Sequence, residues 1–371
     1  MHNTLSQEEQ LVLLLSKLSL NKTEIENLKK LLYAVLDWNL VLGMLQVHRT
    51  SGIAWKNIRD HAIHERKNFK ATYFLKSLEI MYKGQYQTAL ENIELNYQML
   101  KEFENRGVEY TLVKGSIIAQ WAYEDFGLRM FNDNDLLISL DKLPEVGKIL
   151  NELGYVQGSW NYDTNSINLA KRNEVLYLKM NSHQTYPYMM ATPDCVFLDC
   201  HKVDVQFSVD LMSRNRTEDI VKEMLNRRVK VLVNGKFPMW ALQEEDMLFF
   251  VCMHFYKEAI YRSEVQIMKD LVLYKMVDIY GLFVNKRFCF NIDTFIGRIK
   301  KYGFEKEIYF ALHYVNEVFP DIIPQKLLEA LRPESIDYLS EVLDSSNAVH
   351  KWEDPIVKRF FNMDRVAELN K

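Results

Sequence analysis

Cysteine is scarce: four thiols (Cys195, Cys200, Cys252, Cys289) in 371 residues, with no CxxC pair and none of the density of a disulfide-stapled secreted domain. Reduced thiols are the simplest reading, and they point to a cytoplasmic protein. Proline (8) and glycine (13) are also sparse, which excludes collagen-like and low-complexity architectures. No apolar run approaches the roughly 18 residues that a membrane helix requires. The start, Met1-His2-Asn3-Thr4-Leu5, has neither a positive n-region nor a small-residue cleavage site, so no membrane partner is expected. An excess of either charge is missing too: 46 Lys and Arg stand against 50 Asp and Glu. No global basic field argues for a long nucleic acid, although a local basic patch stays compatible with the balance. What is present is 48% apolar and 12% aromatic content, which supports a full core, and enough length for two or three domains.

Three regions follow from the patterning. Residues 1–100 read as a helical region. Ser6 to Glu9 looks like a capping-box start, Asn21 to Glu24 begins another amphipathic run, Leu28, Leu31, Leu32, Val35 and Leu36 keep helical spacing, and residues 66–105 read as one or two long helices with Gly84 as the break point. Residues 101–240 read as an α/β core. Strands are expected at Tyr110–Val113, Asp135–Ser139, Val175–Met180, Val203–Val209 and Val229–Val233, the last entering an Asn234-Gly235 turn. Helices are expected at Ser116–Tyr123, at Leu143–Leu153 with Gly154 as its stop, and at Glu218–Leu225. Residues 241–371 read as a C-terminal helical region, with helices over Glu244–Tyr261, Val265–Tyr280, Phe304–Val318 and Ile336–Leu343.

The chemistry concentrates in residues 110–138. Asp133 and Asp135 are two apart on an apolar strand, so their carboxylates share one face while Asn134 turns the other way. Paired carboxylates of this kind hold Mg²⁺ against substrate phosphates. Gly115-Ser116 forms a small strand-to-helix turn whose N–H groups suit phosphate, although such a turn favours small capping residues in any case. Lys114 stands before the turn, either as a phosphate or acceptor contact or as a surface lysine. Arg129 is either a phosphate contact or the ion-pair partner of Asp125. Asp204, between Val203 and Val205, is a carboxylate that burial would oblige to be paired or metal-bound; Asp199 and Asp210 are its alternatives. His254 and Lys257 share a face of an otherwise apolar helix, and His183 follows the expected Val175–Met180 strand. Each histidine reads as a core residue or as a site residue. The Tyr186-Pro187-Tyr188-Met189-Met190 cluster reads as an acceptor-pocket lining, as packing or as a loop.

Leu112-Val113-Lys114-Gly115, then Tyr123-Glu124-Asp125-Phe126-Gly127-Leu128-Arg129, then Asp133-Asn134-Asp135-Leu136-Leu137-Ile138 resemble the core of a bacterial nucleotidyltransferase family within the DNA polymerase beta-like superfamily. Weaker echoes are Asp37-Trp38, Leu153-Gly154-Tyr155, Cys252-Met253-His254 and Lys269-Asp270-Leu271. The resemblance implies an α+β fold, a nucleotidyltransferase-type mixed sheet with flanking helices between two helical parts. It also implies two Mg²⁺ ions on Asp133, Asp135 and Asp204, with Gly115, Ser116, Lys114 and Arg129 binding the nucleotide. The implied reaction moves a nucleoside monophosphate from an NTP, ATP by default, to a hydroxyl of a small-molecule or peptide acceptor, with tRNA left open. Alternatives are a silent nucleotide- or partner-binding module and a phosphotransferase of the same fold. Two positions depart from the family pattern. Asn134 stands where a hydrophobic residue is usual, and a buried amide there needs partners or costs about 1–3 kcal/mol. Gln206 stands where histidine is common.

Overall fold

In the computed structural model, residues 5–62, 71–131 and 133–370 are described. Residues 66–70 of the expected long helix, Asn132 and the first four residues lie outside them. Four helices open the chain: α1 (Gln7–Leu15), α2 (Lys22–Leu32), α3 (Trp38–Val47) and α4 (Ser51–His61). The first two start on full capping boxes: the Ser6 hydroxyl takes the Glu9 N–H and the Glu9 carboxylate takes the Ser6 N–H, a reciprocity that Asn21 and Glu24 repeat. A 34-residue helix, α5 (Thr72–Asn105), follows without interruption at Gly84. It runs about 50 Å and lies along the sheet.

The sheet has eight strands: β1 (Tyr110–Leu112), β2 (Asp133–Ile138), β3 (Val156–Asn161), β4 (Ser166–Leu169), β5 (Tyr188–Ala191), β6 (Cys200–Gln206), β7 (Val229–Val233) and β8 (Phe237–Ala241). Their spatial order is β4-β3-β5-β6-β2-β1-β8-β7. Pairing is mixed, since β2 runs parallel to β6 and antiparallel to β1, which is itself parallel to β8. Buried apolar residues explain the central strands: Leu136, Leu137, Ile138, Val203 and Val205 are fully buried. Around the sheet lie α6 (Ser116–Ile118), which continues as a π-turn over Ala119–Tyr123, and then α7 (Leu143–Glu152), α8 (Arg172–Asn181) and α9 (Glu218–Asn226). The C-terminal part comprises α10 (Glu244–Ile260), α11 (Arg262–Gln266), α12 (Leu273–Val284), α13 (Ile292–Tyr302), α14 (Glu305–Val318), α15 (Gln325–Leu331), the small β9–β10 pair (Glu341–Leu343, Val349–Lys351) and α16 (Ile356–Phe361). One apolar cluster runs from Leu11 through the sheet to Phe360. Among the described residues no helix is long and apolar enough to cross a membrane.

Several expectations are corrected. Val175–Met180 is helical, inside α8, and not a strand. The Glu174 carboxylate accepts the Lys171 N–H at 2.8 Å at the helix start, and Leu176, Leu178, Lys179 and Met180 are good helix formers that no strand pairs with. Val265–Tyr280 is not one helix: Met268 adopts a left-handed φ of 57°, which ends α11 and opens a loop before α12. Ile336–Leu343 gives a short 3-10 turn and then β9. The strand expected at Val203–Val209 begins earlier, at Cys200, and ends at Gln206. Of the Tyr186–Met190 cluster, Tyr188, Met189 and Met190 lie in β5 between β3 and β6, which agrees with its reading as packing.

The start of α4 comes close to the Gly127-Leu128 backbone. A Cβ at Gly52 would collide with the Gly127 carbonyl oxygen and the Gln85 side chain, whereas one at Gly43, in α3, would meet nothing within 4 Å. Gly52→Ala is therefore expected to lower stability by about 1–3 kcal/mol. Gly43→Ala should raise it by roughly 0.5–1 kcal/mol. Denaturant midpoints of the two variants check the pair, and a neutral Gly52→Ala would contradict the close approach.

Candidate active site

Parallel pairing of β2 with β6 sets Asp133 opposite Lys202 and Asp135 opposite Asp204. All four project from one face of the sheet, because the partners share the period-2 alternation. The Lys202 ammonium spans two carboxylates, 2.7 Å from Asp204 Oδ2 and 3.6 Å from Asp133 Oδ2. Asp135 accepts from Lys114 Nζ at 3.0 Å and from Gln206 Nε2 at 2.6 Å. Gln206, at the position where the resembled family often has histidine, thus orients the central carboxylate. Asp204 Oδ1 is buried and has no hydrogen-bond partner.

The electrostatics follow from this crowding. Burial, opposed by Lys202 but reinforced by Asp133 and Asp135, pushes the Asp204 carboxyl up to about 6. Burial likewise raises Asp135, with Lys114 opposing and Asp133 adding to the shift. Desolvation also works against a charged Asp133, but Lys202 and Lys114 prevail and hold that carboxyl below its ordinary value. Lys114 stays charged: burial disfavours the ammonium, and Asp135 and Asp133 outweigh it.

The opposite face of β2 is dry. The Asn134 amide accepts from Asn96 Nδ2, donates to Asn92 Oδ1 at 2.7 Å and to the Lys202 carbonyl at 3.0 Å, and lies 3.0 Å from His201 Nε2. His201 in turn meets the Tyr155 hydroxyl at 2.6 Å, and burial pushes its imidazole down to about 3. The amide between the two aspartates is therefore satisfied, and it ties β2 to α5.

In front of the carboxylates opens a cavity of about 360 Å³. Gly115 lines it with φ 54° and ψ −119°, a backbone conformation that only glycine adopts without strain. Ser116 is buried, and its Oγ has no partner. Arg129 lines the cavity but pairs with Asp278 on α12, through two bonds of 2.8 Å, and not with Asp125. Asp125 accepts instead from the Tyr82 hydroxyl and the Gly127 N–H. His254 lines the cavity as a neutral imidazole, held far down by burial and by the Lys114, Lys275 and Lys257 ammonium groups. Lys257 and His183 are not among the lining residues. Lys257 acts through its charge, and His183, pushed down to about 3 by burial and then Lys257, packs beside the end of β6. Of the alternatives to Asp204, Asp199 is exposed. Asp210 is taken by the N–H groups of Met212, Arg214 and Asn215.

Sequence reasoning assigned no site role to the other charged lining residues or to one aromatic among them: Arg49, Lys202, Glu258, Lys269, Tyr274, Lys275 and Asp278. A signal existed in Lys275 and Asp278, which interrupt the apolar face of α12, and in Glu258 on α10, since buried charges on such helices must have partners. Six basic side chains (Arg49, Lys114, Arg129, Lys202, Lys269, Lys275) thus face four carboxylates (Asp133, Asp135, Glu258, Asp278) in one cavity. The chain as a whole is slightly acidic. Among the described residues, no three His, Cys, Asp or Glu side chains are grouped so as to hold a metal; ammonium groups stand between the carboxylates.

A mixed sheet with a glycine-led turn and an acid pair on the next strand is the arrangement of a nucleotidyltransferase-like protein. The chain belongs to a family described as uncharacterised nucleotidyltransferases, whose match covers residues 35–320. Among solved structures, an antigenic nucleotidyltransferase-like protein from Paracoccidioides brasiliensis is similar at 13% identity, with 65% of this chain and 92% of that chain covered and a TM-score of 0.31. No curated protein matches.

Asp204 yields a stability test. Its carboxyl titrates near 6 when folded and near the ordinary 3.8 when unfolded, so the folded state binds the proton more tightly. The stabilisation that this gives is complete below about pH 4 and is lost as pH rises through 6. Asp204→Asn, which keeps the neutral shape, should therefore gain stability relative to the wild type across that window. Melting curves of the two proteins from pH 4 to pH 7 check it, and a constant difference would refute the buried-carboxylate account.

Proposed function

We propose that the chain is a Mg²⁺-dependent nucleotidyltransferase that moves a nucleoside monophosphate from an NTP, with ATP as the default donor, to a hydroxyl of a small-molecule or peptide acceptor. The observation that carries this reading is the convergence of Asp133, Asp135 and Asp204 on one face of paired parallel strands, with Asp133 and Asp135 lining a cavity rich in cations and Asp204 buried beside Asp135. Two features of these residues fit divalent cations: the partnerless buried Asp204 Oδ1, and the position between Asp133 and Asp204 where an ammonium already sits. With the Lys202 ammonium displaced from between them, Asp133, Asp135 and Asp204 would hold two Mg²⁺, which when bound would lower the pKa of the acceptor hydroxyl and neutralise charge on the leaving pyrophosphate.

The chain's own groups do the rest. The acceptor oxygen bonds to the α-phosphorus, the bond from that phosphorus to the pyrophosphate oxygen breaks, and the hydroxyl proton passes to a carboxylate of the Asp133, Asp135 and Asp204 group. Gly115, with no side chain in the way, lets the backbone approach the phosphates, and Lys114 and Lys202 supply positive charge beside them. Gln206 and Lys114 fix the Asp135 carboxylate, so catalysis rests on positioning and electrostatics. A second reading, a nucleotide-binding module without turnover, draws on the same ammonium groups, because Lys202 and Lys114 neutralise the acids without any metal.

Incubation with α-³²P-labelled NTPs, Mg²⁺ and a cell extract should label an acceptor and release pyrophosphate. Asp135→Asn should cut that labelling by about 10²-fold or more while leaving the fold intact. Tight NTP binding with no pyrophosphate from any extract would favour the silent module, and release of ADP without pyrophosphate would indicate γ-phosphate transfer instead.

A further inference from the structure

Four of the six cavity cations are neutralised on the spot: Lys114 by Asp135, Lys202 by Asp133 and Asp204, Arg129 by Asp278 and Lys275 by Glu258. Arg49 and Lys269 are not; among the described residues neither has a carboxylate partner, although both line the cavity. They arrive from distant segments, Arg49 from the α3–α4 turn and Lys269 from the α11–α12 loop, and each is displayed by a strained backbone. Arg49 itself has φ 56°, and Met268, just before Lys269, has φ 57°. Both turns close a helix with a backbone bond to the residue five positions earlier, Thr50 N–H to Leu45 O and Lys269 N–H to Glu264 O, in a left-handed geometry where glycine is usual.

The two turns are clamped together. The His48 carbonyl accepts the Tyr274 N–H at 3.3 Å, and the His48 ring accepts the Leu273 N–H at 3.4 Å, joining the Arg49 turn to the start of α12. Lys275 on α12 donates to the Lys269 carbonyl, and Asp270 next door is locked in a buried ion pair with Arg365. The Arg49 guanidinium lies 5.3 Å from the centre of the Tyr274 ring, on which Arg129 also lies at 5.7 Å. Two like charges that line one cavity without a carboxylate partner make it attractive to an anion.

We propose that Arg49 and Lys269 form an anion subsite within the cavity, apart from the carboxylate floor, that takes a phosphate group. A guanidinium fork and an ammonium suit a phosphate dianion in charge and in donor number. This rests on the transferase reading only for the origin of the phosphate, which is either the terminal phosphate of the NTP or a phosphate carried by the acceptor.

The test titrates the full-length protein with inorganic phosphate, with tripolyphosphate and with ATP, by calorimetry, alongside an Arg49→Gln/Lys269→Gln double variant. Tripolyphosphate and phosphate should each bind the variant about tenfold more weakly or worse. If ATP weakens equally, the subsite serves the donor. If ATP affinity is kept while phosphate is lost, it serves the acceptor. Unchanged affinity for all three ligands overturns the subsite, as does an equal loss in Lys236→Gln, which removes an exposed cation elsewhere. Lys269→Gln alone, at an exposed and unpaired side chain, keeps the test valid should the double variant fail to fold. Because binding is read without turnover, intact anion binding in a protein that labels nothing would count against the transferase and not against the subsite.

Discussion

Strand pairing puts two carboxylates, Asp135 and Asp204, on neighbouring backbones, where their separation is set by the inter-strand spacing of about 4.8 Å. At an effective dielectric near 20, like charges at that range repel by roughly 3 kcal/mol, and both side chains are almost wholly buried. Nothing in the sheet can relax this, because the register that creates the clash also holds the core strands together. The surrounding arrangement answers it. Lys114 and Lys202 stand against the acids, Gln206 donates an N–H, and the Asp204 proton is retained to a higher pH than usual. Positive charge near these acids is thus a structural requirement, and a phosphate-bearing ligand meets that charge whatever its other chemistry.

The second layer of the site comes from elements far away in sequence. α12 contributes Tyr274, Lys275 and Asp278, α10 contributes His254 and Glu258, and the α3–α4 turn contributes Arg49. Each charged member except Arg49 and Lys269 is matched within the cavity, and the bracing continues outward through Asp270 and Arg365 to the C-terminal segment. Removing one member of such a buried pair strands its partner's charge, which costs more than the pair contributes. The helical parts before and after the sheet are therefore walls of the same cavity.

How far the sequence foretold this depends on range. β1, β2, the glycine turn, α7 and α9 were legible because short-range signals fixed them: apolar strands, a small turn and the amphipathic spacing of Val146, Ile149 and Leu150. The Asn234-Gly235 hairpin was equally local, and both residues do take positive φ. β3 and β4 were not legible, since only Gly158 among their residues is buried and they lack clean alternation. α8 misled for a related reason: it buries nothing, so no apolar stripe distinguished helix from strand. Asp133, Asp135 and Asp204 were readable as acids within apolar strands. Arg49, Lys269 and Lys275 were not, because no periodicity links the α3–α4 turn or the α11–α12 loop to β2; only the tertiary fold brings them to one cavity.

Polar residues alternate on both sides of β2, with acids toward the cavity and Asn134 toward α5. The usual guard against slippage in a sheet is the contrast between a greasy face and a wet one; here the two sides demand different hydrogen-bond chemistry instead. Sliding the strand by a single residue would thrust carboxylates at Asn92, Asn96 and the neutral His201, and leave an amide where the lysines wait. Misassembly of this strand is thereby penalised twice, and a chain that reaches its correct pairing has assembled its acidic floor and its long helical backing in one event.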